Sequence, residues 1–386
     1  MSQLAIEQCF ALALQHYQSG PLREADQLYR EILEQDPTHV GALHYSGVLA
    51  HQRGQHAIAA YEESLRLRPN YAIAHFNLGT ALEGTGEVDE AITHYRQAIV
   101  LRPDYAEAFA NLGNALVKTE RFDEAIAAYR QAIALNPKDA AAANNLGTTL
   151  ASIERLDDAI AAFNHALSVK LDFAIVYSNL AIALAENEEI DKTIAALRSA
   201  IALGSNARLP HGKLLFRLQF HLDYDAQAIA DKNRRWCQLY AQPLQQRIRS
   251  HTNDRQADRR LRVGYVSSDF RKHLVGQNFL PLFQHCDRQQ LEISCYAQVT
   301  RPDALTREFQ QRADRWRNIV GMSDERVARL IREDQIDILV DLSLHTAVNR
   351  LMVFARKPAP VQMTYLAYCG SSTPWDSRAT WKRPIE

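Results

Sequence analysis

From the first residues to about position 205, apolar positions recur at helical spacing, and the pattern itself returns at a fixed interval. The stretch "NLGTALEGTGEVDEAITHYRQAIVLRPDY" starts at Asn77, and its counterparts start at Asn111, Asn145 and Asn179, each 34 residues on. A 34-residue period predicts stacked helix hairpins. Gly79, Gly113 and Gly147 mark close approach of two helices, as do Ala91, Ala125 and Ala159 on the second helix of each pair. Tyr95, Tyr129 and Phe163 are expected to fill the gap toward the next repeat, and Pro69, Pro103 and Pro137 to stop the second helix.

These positions resemble the tetratricopeptide repeat throughout. Two looser units ending at Pro37 and Pro69 bring the expectation to six repeats over residues 6–205; in the last two, Leu171 stands for proline and Ala181 for glycine. Such an array is an α-α superhelix with a concave groove suited to extended polypeptide. Asn77, Asn111, Asn145 and Asn179 fall at one position of successive first helices. Each amide carries a donor and an acceptor, so the column can hold a peptide backbone, or it can bond neighbouring repeats to one another.

After Leu209 the period is lost. "DYDAQAIADKNRRWCQLYAQP" reads as a helix with an aspartate near its start and Pro243 just past its end, and "RIRSHTNDRQADRR" as a polar surface linker. Its arginines suit either a solvated charge run or phosphate binding. The texture then becomes short apolar runs alternating with helical stretches. The runs "LRVGYVSSD", "LEISCYAQV", "DILVDLS" and "VQMTYLAY" predict strands. The segments "VGQNFLPLFQHC", "DALTREFQQRAD", "DERVARLIRED" and "NRLMVFARKP" predict helices. This alternation predicts a parallel, Rossmann-like α/β lobe whose ligands lie beyond the carboxyl ends of its strands, at "SSDFRKH", "DLSLHTAVNR" and "AYCGSS".

Composition narrows the function classes. An apolar fraction of 47% supports packed cores, and 44 basic against 45 acidic residues leave no global footprint for nucleic acid or an anionic membrane. The five cysteines form no CxxC pair, no His cluster has metal-site spacing, and neither a signal peptide nor a membrane span is legible. The expectation is a cytoplasmic protein without a metal. On position alone, His273 is either a strand-end catalytic residue or a solvent-facing structural one.

Repeats followed by "LRVGYVSSDFRKH" and "DILVDLSLHTAVNRLMVFARKPAPVQMTYLAYCGSS" resemble the protein O-linked N-acetylglucosaminyltransferase family, the SPINDLY-type branch in particular, as far as Ser372. The resemblance implies an inverting transfer of N-acetylglucosamine from UDP to Ser or Thr hydroxyls, in a catalytic region of two lobes in the GT-B arrangement. It implies a domain plan of repeats over 1–205, connector over 206–258, first lobe over 259–372 and an unrelated tail over 373–386. It places His273 at the family's catalytic histidine. Asp269, His345, Thr346, Gly370 and Ser371 then contact donor and substrate, and the asparagine column holds the acceptor polypeptide. Departures from the family pattern are Leu274 for proline, Leu344 and Val348 for glycines, and Ala367 and Cys369 in the third loop. The reading expects half an active site, hence an inactive isolated chain that self-associates through an exposed lobe surface; the alternative is a peptide-binding scaffold without catalysis. An inward-facing Phe10 and Leu14 argue against a carboxylate-clamp receptor.

Overall fold

The structure, a computed structural model, describes residues 3–53, 57–204, 208–246, 248–254, 256, 258–343 and 349–365. The chain forms two compact units, Met1–Glu188 and Glu189–Glu386.

In the first unit α1 (Gln3–Ser19) pairs with α2 (Leu22–Gln35), α3 (Val40–Gln52) with α4 (Ile58–Leu67), and α5 (Ala72–Thr85) with α6 (Val88–Leu101). The pairing continues with α7 (Ala106–Lys118) on α8 (Phe122–Leu135), and α9 (Ala140–Ser152) on α10 (Leu156–Val169), followed by α11 (Ala174–Glu186). Each second helix also packs on the first helix of the next pair, so the core runs between repeats. A Cβ added at Gly79, Gly113 or Gly147 would lie 2.9, 2.6 or 2.7 Å from the ring of Tyr95, Tyr129 or Phe163. The rings therefore lie against the glycine of their own hairpin rather than simply filling the gap to the next one. Helices α2, α4, α6 and α8 stop two residues before Pro37, Pro69, Pro103 and Pro137. At the fifth such point α10 ends at Val169 although Leu171 replaces the proline, its last turn closed by the Lys170 N–H on the Ala166 carbonyl.

The second unit opens with α12 (Ile190–Ala202), α13 (Arg208–Leu218) and α14 (Ala226–Trp236), the last capped by the Asp225 carboxylate on the Ala228 N–H at 2.7 Å. Pro243 does not end that helix. A π-helical turn, Cys237–Ala241, leads into α15 (Gln242–Gln245), and the proline sits in its first turn, where a missing N–H costs nothing. Leu215, Trp236 and Ala241 bury with Leu351, Met352 and Ala355, which joins the connector helices to the lobe.

The lobe is a five-stranded parallel sheet: β1 (Leu261–Ser267), β2 (Leu291–Ala297), β3 (Arg315–Asn318), β4 (Ile338–Asp341) and β5 (Val361–Thr364), in the order β3-β2-β1-β4-β5. Helices α16 (Leu274–His285) and α17 (Ala304–Arg312) cover one face through Phe279, Phe283 and Phe309; α18 (Asp324–Glu333) and α19 (Leu351–Phe354) cover the other through Val327, Ile331 and Phe354. Burial on both faces explains the near-continuous apolar runs of β1, β2 and β4. Strand β3, "RWRN", has no such run and was not expected. It lies at the sheet edge, where Arg315 and Arg317 reach Asp334 at 2.9 and 2.7 Å while Trp316 packs 5.6 Å from the Phe270 ring. The linker arginines also find partners. Arg259 donates twice to the Asp337 carboxylate at 2.6 Å, and Arg260 reaches Asp314 at 2.7 Å, so the linker is tied to the sheet. Burial would raise the Asp337 pKa, but Arg259, the Arg262 N–H and Asn253 together hold it below the usual carboxylate range.

Candidate functional site

Strand order reverses at β1, which has β2 on one side and β4 on the other. In a parallel sheet the helices leave opposite faces at such a point, opening a crevice beyond the carboxyl ends of the two central strands. The loops entering that crevice are those after Ser267 and after Asp341, which are the loops that the sequence singled out.

The first loop is built to hold a histidine. The Asp269 N–H donates to Ser267 Oγ at 2.9 Å, and Phe270, only 1% exposed, drops into the core against Phe279, Phe309 and Trp316. The Lys272 N–H donates to Asp303 Oδ2 at 2.6 Å; the same aspartate caps α17 through a reciprocal bond with Thr306. Next, the chain folds back so tightly that a Cβ on Gly276 would lie 2.4 Å from the carbonyl oxygens of both Asp269 and Arg271. Only glycine fits there. His273 is the N-cap of α16, its Nδ1 accepting the Val275 N–H at 3.2 Å, with Asp269 Oδ1 3.8 Å away. The His273 side chain is 42% exposed and that of Asp269 7%. The structure thus brings Asp269 and His273 together at the crevice.

An Nδ1 that accepts a hydrogen bond leaves the neutral ring's proton on Nε2. In this state the outward nitrogen donates. Acting as a base through Nε2 requires the cap to open and the Nδ1 proton to turn to Asp269.

At the second loop Asp341 is 1% exposed and its Oδ1 accepts the Ser343 N–H at 2.9 Å. Ser343 is 3% exposed and its Oγ has no partner among the described residues. Past the loop, Arg350 gathers the neighbouring strand ends: it reaches Met322 O at 2.8 Å, Asp324 Oδ1 at 2.9 Å, Ile319 O at 2.9 Å and the Gln298 amide oxygen. His345, Thr346, Gly370 and Ser371 lie outside the described residues, as do Leu344, Val348, Ala367 and Cys369. Sequence reasoning missed Gly276, Asp303, Ser343 and Arg350. Of these only Gly276, a glycine in the first turn of a helix, carried a visible signal.

In the first unit the asparagine column is half-buried. Asn145 Nδ2 donates to Asn114 Oδ1 at 3.0 Å, Asn179 Nδ2 to Asn144 Oδ1 at 3.0 Å, and Asn77 Nδ2 lies 3.4 Å from His44 Nε2. Each of these bonds reaches the preceding repeat. An amide has two N–H donors and two acceptor sites, so a bond to a neighbour uses only part of its capacity. Tyr129 adds its hydroxyl to Asn114 Oδ1 at 2.7 Å and Asn144 donates to Asn145, so Asn114, Asn144, Asn145 and Asn179 are linked. Among the described residues no group of three or more His, Cys, Asp or Glu side chains could hold a metal, and no helix is long and apolar enough to cross a membrane.

Comparison with known proteins matches the glycosyl transferase family 41 model to residues 202–375. Tetratricopeptide repeat models match residues 111–172, and residues 51–86 and 84–120. A probable UDP-N-acetylglucosamine–peptide N-acetylglucosaminyltransferase SPINDLY of Hordeum vulgare is 38% identical over 149 residues, covering 38% of this chain and 15% of the relative. The corresponding probable enzyme SEC of Arabidopsis thaliana is 34% identical over 115 residues, covering 30% of this chain and 12% of the relative. A mutant of the Thermobaculum terrenum O-GlcNAc transferase superposes with a TM-score of 0.60 at 30% identity, over 68% of this chain and 50% of that one. The matched regions are thus a minor part of the curated relatives and half of the solved structure.

Proposed function

This chain belongs to the O-GlcNAc transferase type, tetratricopeptide repeats followed by a family 41 glycosyltransferase region, and on that premise we propose that it serves transfer of N-acetylglucosamine from UDP-N-acetylglucosamine to Ser or Thr hydroxyls of polypeptides. In this reading the asparagine column holds the acceptor polypeptide, Asp269 and His273 face the reacting hydroxyl, and His345, Thr346, Gly370 and Ser371 contact the donor. The reaction uses no metal and takes place in the cytoplasm. The observation that carries the reading is the placement of the Asp269–His273 loop at the reversal of strand order, held there by Phe270, Asp303 and Gly276.

The chemistry asks for a group that accepts or orients the hydroxyl proton and for donors to the departing diphosphate. His273 is suited to the first task once its ring leaves the α16 cap. Ser343, whose buried hydroxyl is unpartnered among the described residues, supplies a polar atom just past the end of the neighbouring strand β4. The test is labelling of an acceptor polypeptide from donor carrying a radiolabelled sugar, using protein purified from its native source. Labelling that needs the donor and falls by roughly a hundredfold or more in His273→Ala supports the reading; labelling indifferent to that change contradicts it.

A second reading, a polypeptide-binding scaffold, is favoured by one observation: His273 Nδ1 is engaged as a helix cap. Under it the protein retains polypeptides through the asparagine column and labels none. Self-association belongs to both readings and is supported by the outward face of β5, where Val361, Met363 and Tyr365 are 44, 52 and 45% exposed. Sedimentation of the purified protein over a concentration series measures it.

A further inference from the structure

At the opposite, amino-terminal edge of the sheet, basic side chains gather with no carboxylate among the described residues to answer them. Arg332, at the end of α18, donates Nη1 to the Arg249 carbonyl at 3.3 Å and Nη2 to the carbonyls of Arg356 and Lys357 at 3.0 and 2.8 Å. These bonds draw the linker before β1 and the turn before β5 around one guanidinium. His251 sits in the same linker, half-buried, with Nε2 enclosed and unpartnered. The nearby acids are engaged elsewhere: Asp337 with Arg259, Asp334 with Arg315 and Arg317. Glu333 lines the outward face of α18 with Arg326 and Arg329.

The neighbourhood repels its own charge. Burial, then Arg332 and Lys357, push the His251 pKa down, and burial, then Arg249, push that of Arg332 down. The three carbonyl bonds explain where Arg332 sits. They leave unexplained why the Lys357 ammonium, close enough to act on the His251 ring, and the enclosed His251 Nε2 have no acceptor among the described residues. A guanidinium has five N–H donors, so two remain on Arg332 beyond the three in use. Converging donors of this kind suit the oxygens of a tetrahedral dianion.

We propose that Arg249, His251, Arg332 and Lys357 form a binding site for a small phosphate-bearing anion, separate from the crevice at the other end of the strands. A strand rises about 3.3 Å per residue, so a seven-residue β1 sets the two edges roughly 20 Å apart. The site does not depend on the transfer reading. Its role is to fasten the linker and the β5 turn to α18 when the anion is bound.

The test is proton NMR of the His251 imidazole in the whole protein, titrated with inorganic phosphate and then with a nucleoside monophosphate, sodium chloride holding ionic strength constant. The proposal expects saturable shifts and a rise in the His251 pKa, because a bound dianion reverses the local repulsion. Equal affinity for the two probes assigns the site to the phosphate group alone, and tighter nucleotide binding extends it to the base. In the double variant Arg249→Ala/Lys357→Ala, whose changed side chains make none of the Arg332 bonds, the melting temperature without phosphate should not fall, because two mutually repelling cations are removed, and affinity should fall about tenfold or more. A His251 titration that phosphate leaves unmoved, or moves no more than chloride does, overturns the proposal, as does undiminished affinity in the double variant.

Discussion

Gly113 in the repeats and Gly276 in the lobe do the same physical job, removing a Cβ where another group must come close, yet they differ in what surrounds them. At Gly113 the neighbour is the side chain of Tyr129, 2.6 Å from the absent Cβ. At Gly276 it is backbone, two carbonyl oxygens at 2.4 Å. A ring can be traded for a smaller side chain, whereas a carbonyl cannot. The repeat unit therefore holds its shape by many exchangeable contacts, and the lobe fixes its histidine loop by one that has no substitute.

No tryptophan precedes residue 189, and Trp236 and Trp316 pack within the second unit. Tryptophan fluorescence thus follows that unit, while far-ultraviolet circular dichroism is weighted toward the helical repeats, and the two probes separate the comparison. The largest expected effect is Gly276→Ala: the overlap with two backbone oxygens should destabilise the lobe by about 3 kcal/mol or more, seen in fluorescence-monitored denaturation with little change in the repeat transition. An unchanged fluorescence midpoint would break the comparison at its sharpest point.

Acid should act more strongly on the other unit, although burial lowers the pKa of His211 and His251 in the second unit as well. Burial pushes the His44 pKa down to about 4, and an unfolded histidine titrates near 6.5. The folded state binds fewer protons, so this contribution is complete above about pH 6.5 and is lost as the pH falls toward 4, up to about 3 kcal/mol in all. His94 works in the same direction: burial and His75 lower its pKa, and the two Nδ1 atoms, 2.9 Å apart, share one proton. Circular dichroism should therefore lose its midpoint before fluorescence does as the pH is lowered, and His44→Gln should flatten that dependence.

Gly113→Ala should cost the repeats about 1–3 kcal/mol, and Gly113→Ala/Tyr129→Leu should recover part of it, because the smaller side chain vacates the overlap. Additive losses in that cycle would show that the ring is not the obstacle. The smallest effect concerns the turns within hairpins. Gly86 has φ 96°, but the equivalent turns place Glu120 at 59° and Glu154 at 63°, left-handed conformations that side chains resist. Glu120→Gly should raise repeat stability by about 0.5–1 kcal/mol in the same denaturation series.

The same contrast decides how much was legible in the sequence. The hairpins could be read because each rule is stated several times: glycine, alanine, aromatic and proline return every 34 residues, and repetition averages out single exceptions such as Leu171. Apolar runs gave away β1, β2, β4 and β5. Strand β3 escaped because an edge strand of arginines has no such run; its evidence is the carboxylate of Asp334, 17 residues downstream of Arg317. Pro243 misled because a π-helical turn precedes it, and no residue type marks that turn. In the site, His273 and Asp269 were legible as a motif at a strand end. Asp303 and Arg350 were not, since what they do depends on which loops the sheet order brings together. The asparagine column was legible as a column, while its bonds to the preceding repeat required the stack itself.

The most direct measurement is steady-state transfer of labelled sugar to an unfolded acceptor polypeptide, comparing native-sequence protein with Asn111→Ala/Asn145→Ala and with His273→Ala. The account predicts that the asparagine pair raises KM for the polypeptide with kcat nearly unchanged, and that His273→Ala lowers kcat with KM nearly unchanged. A shared pattern in both variants, or no donor-dependent transfer by the unaltered protein purified from its native source, would contradict it.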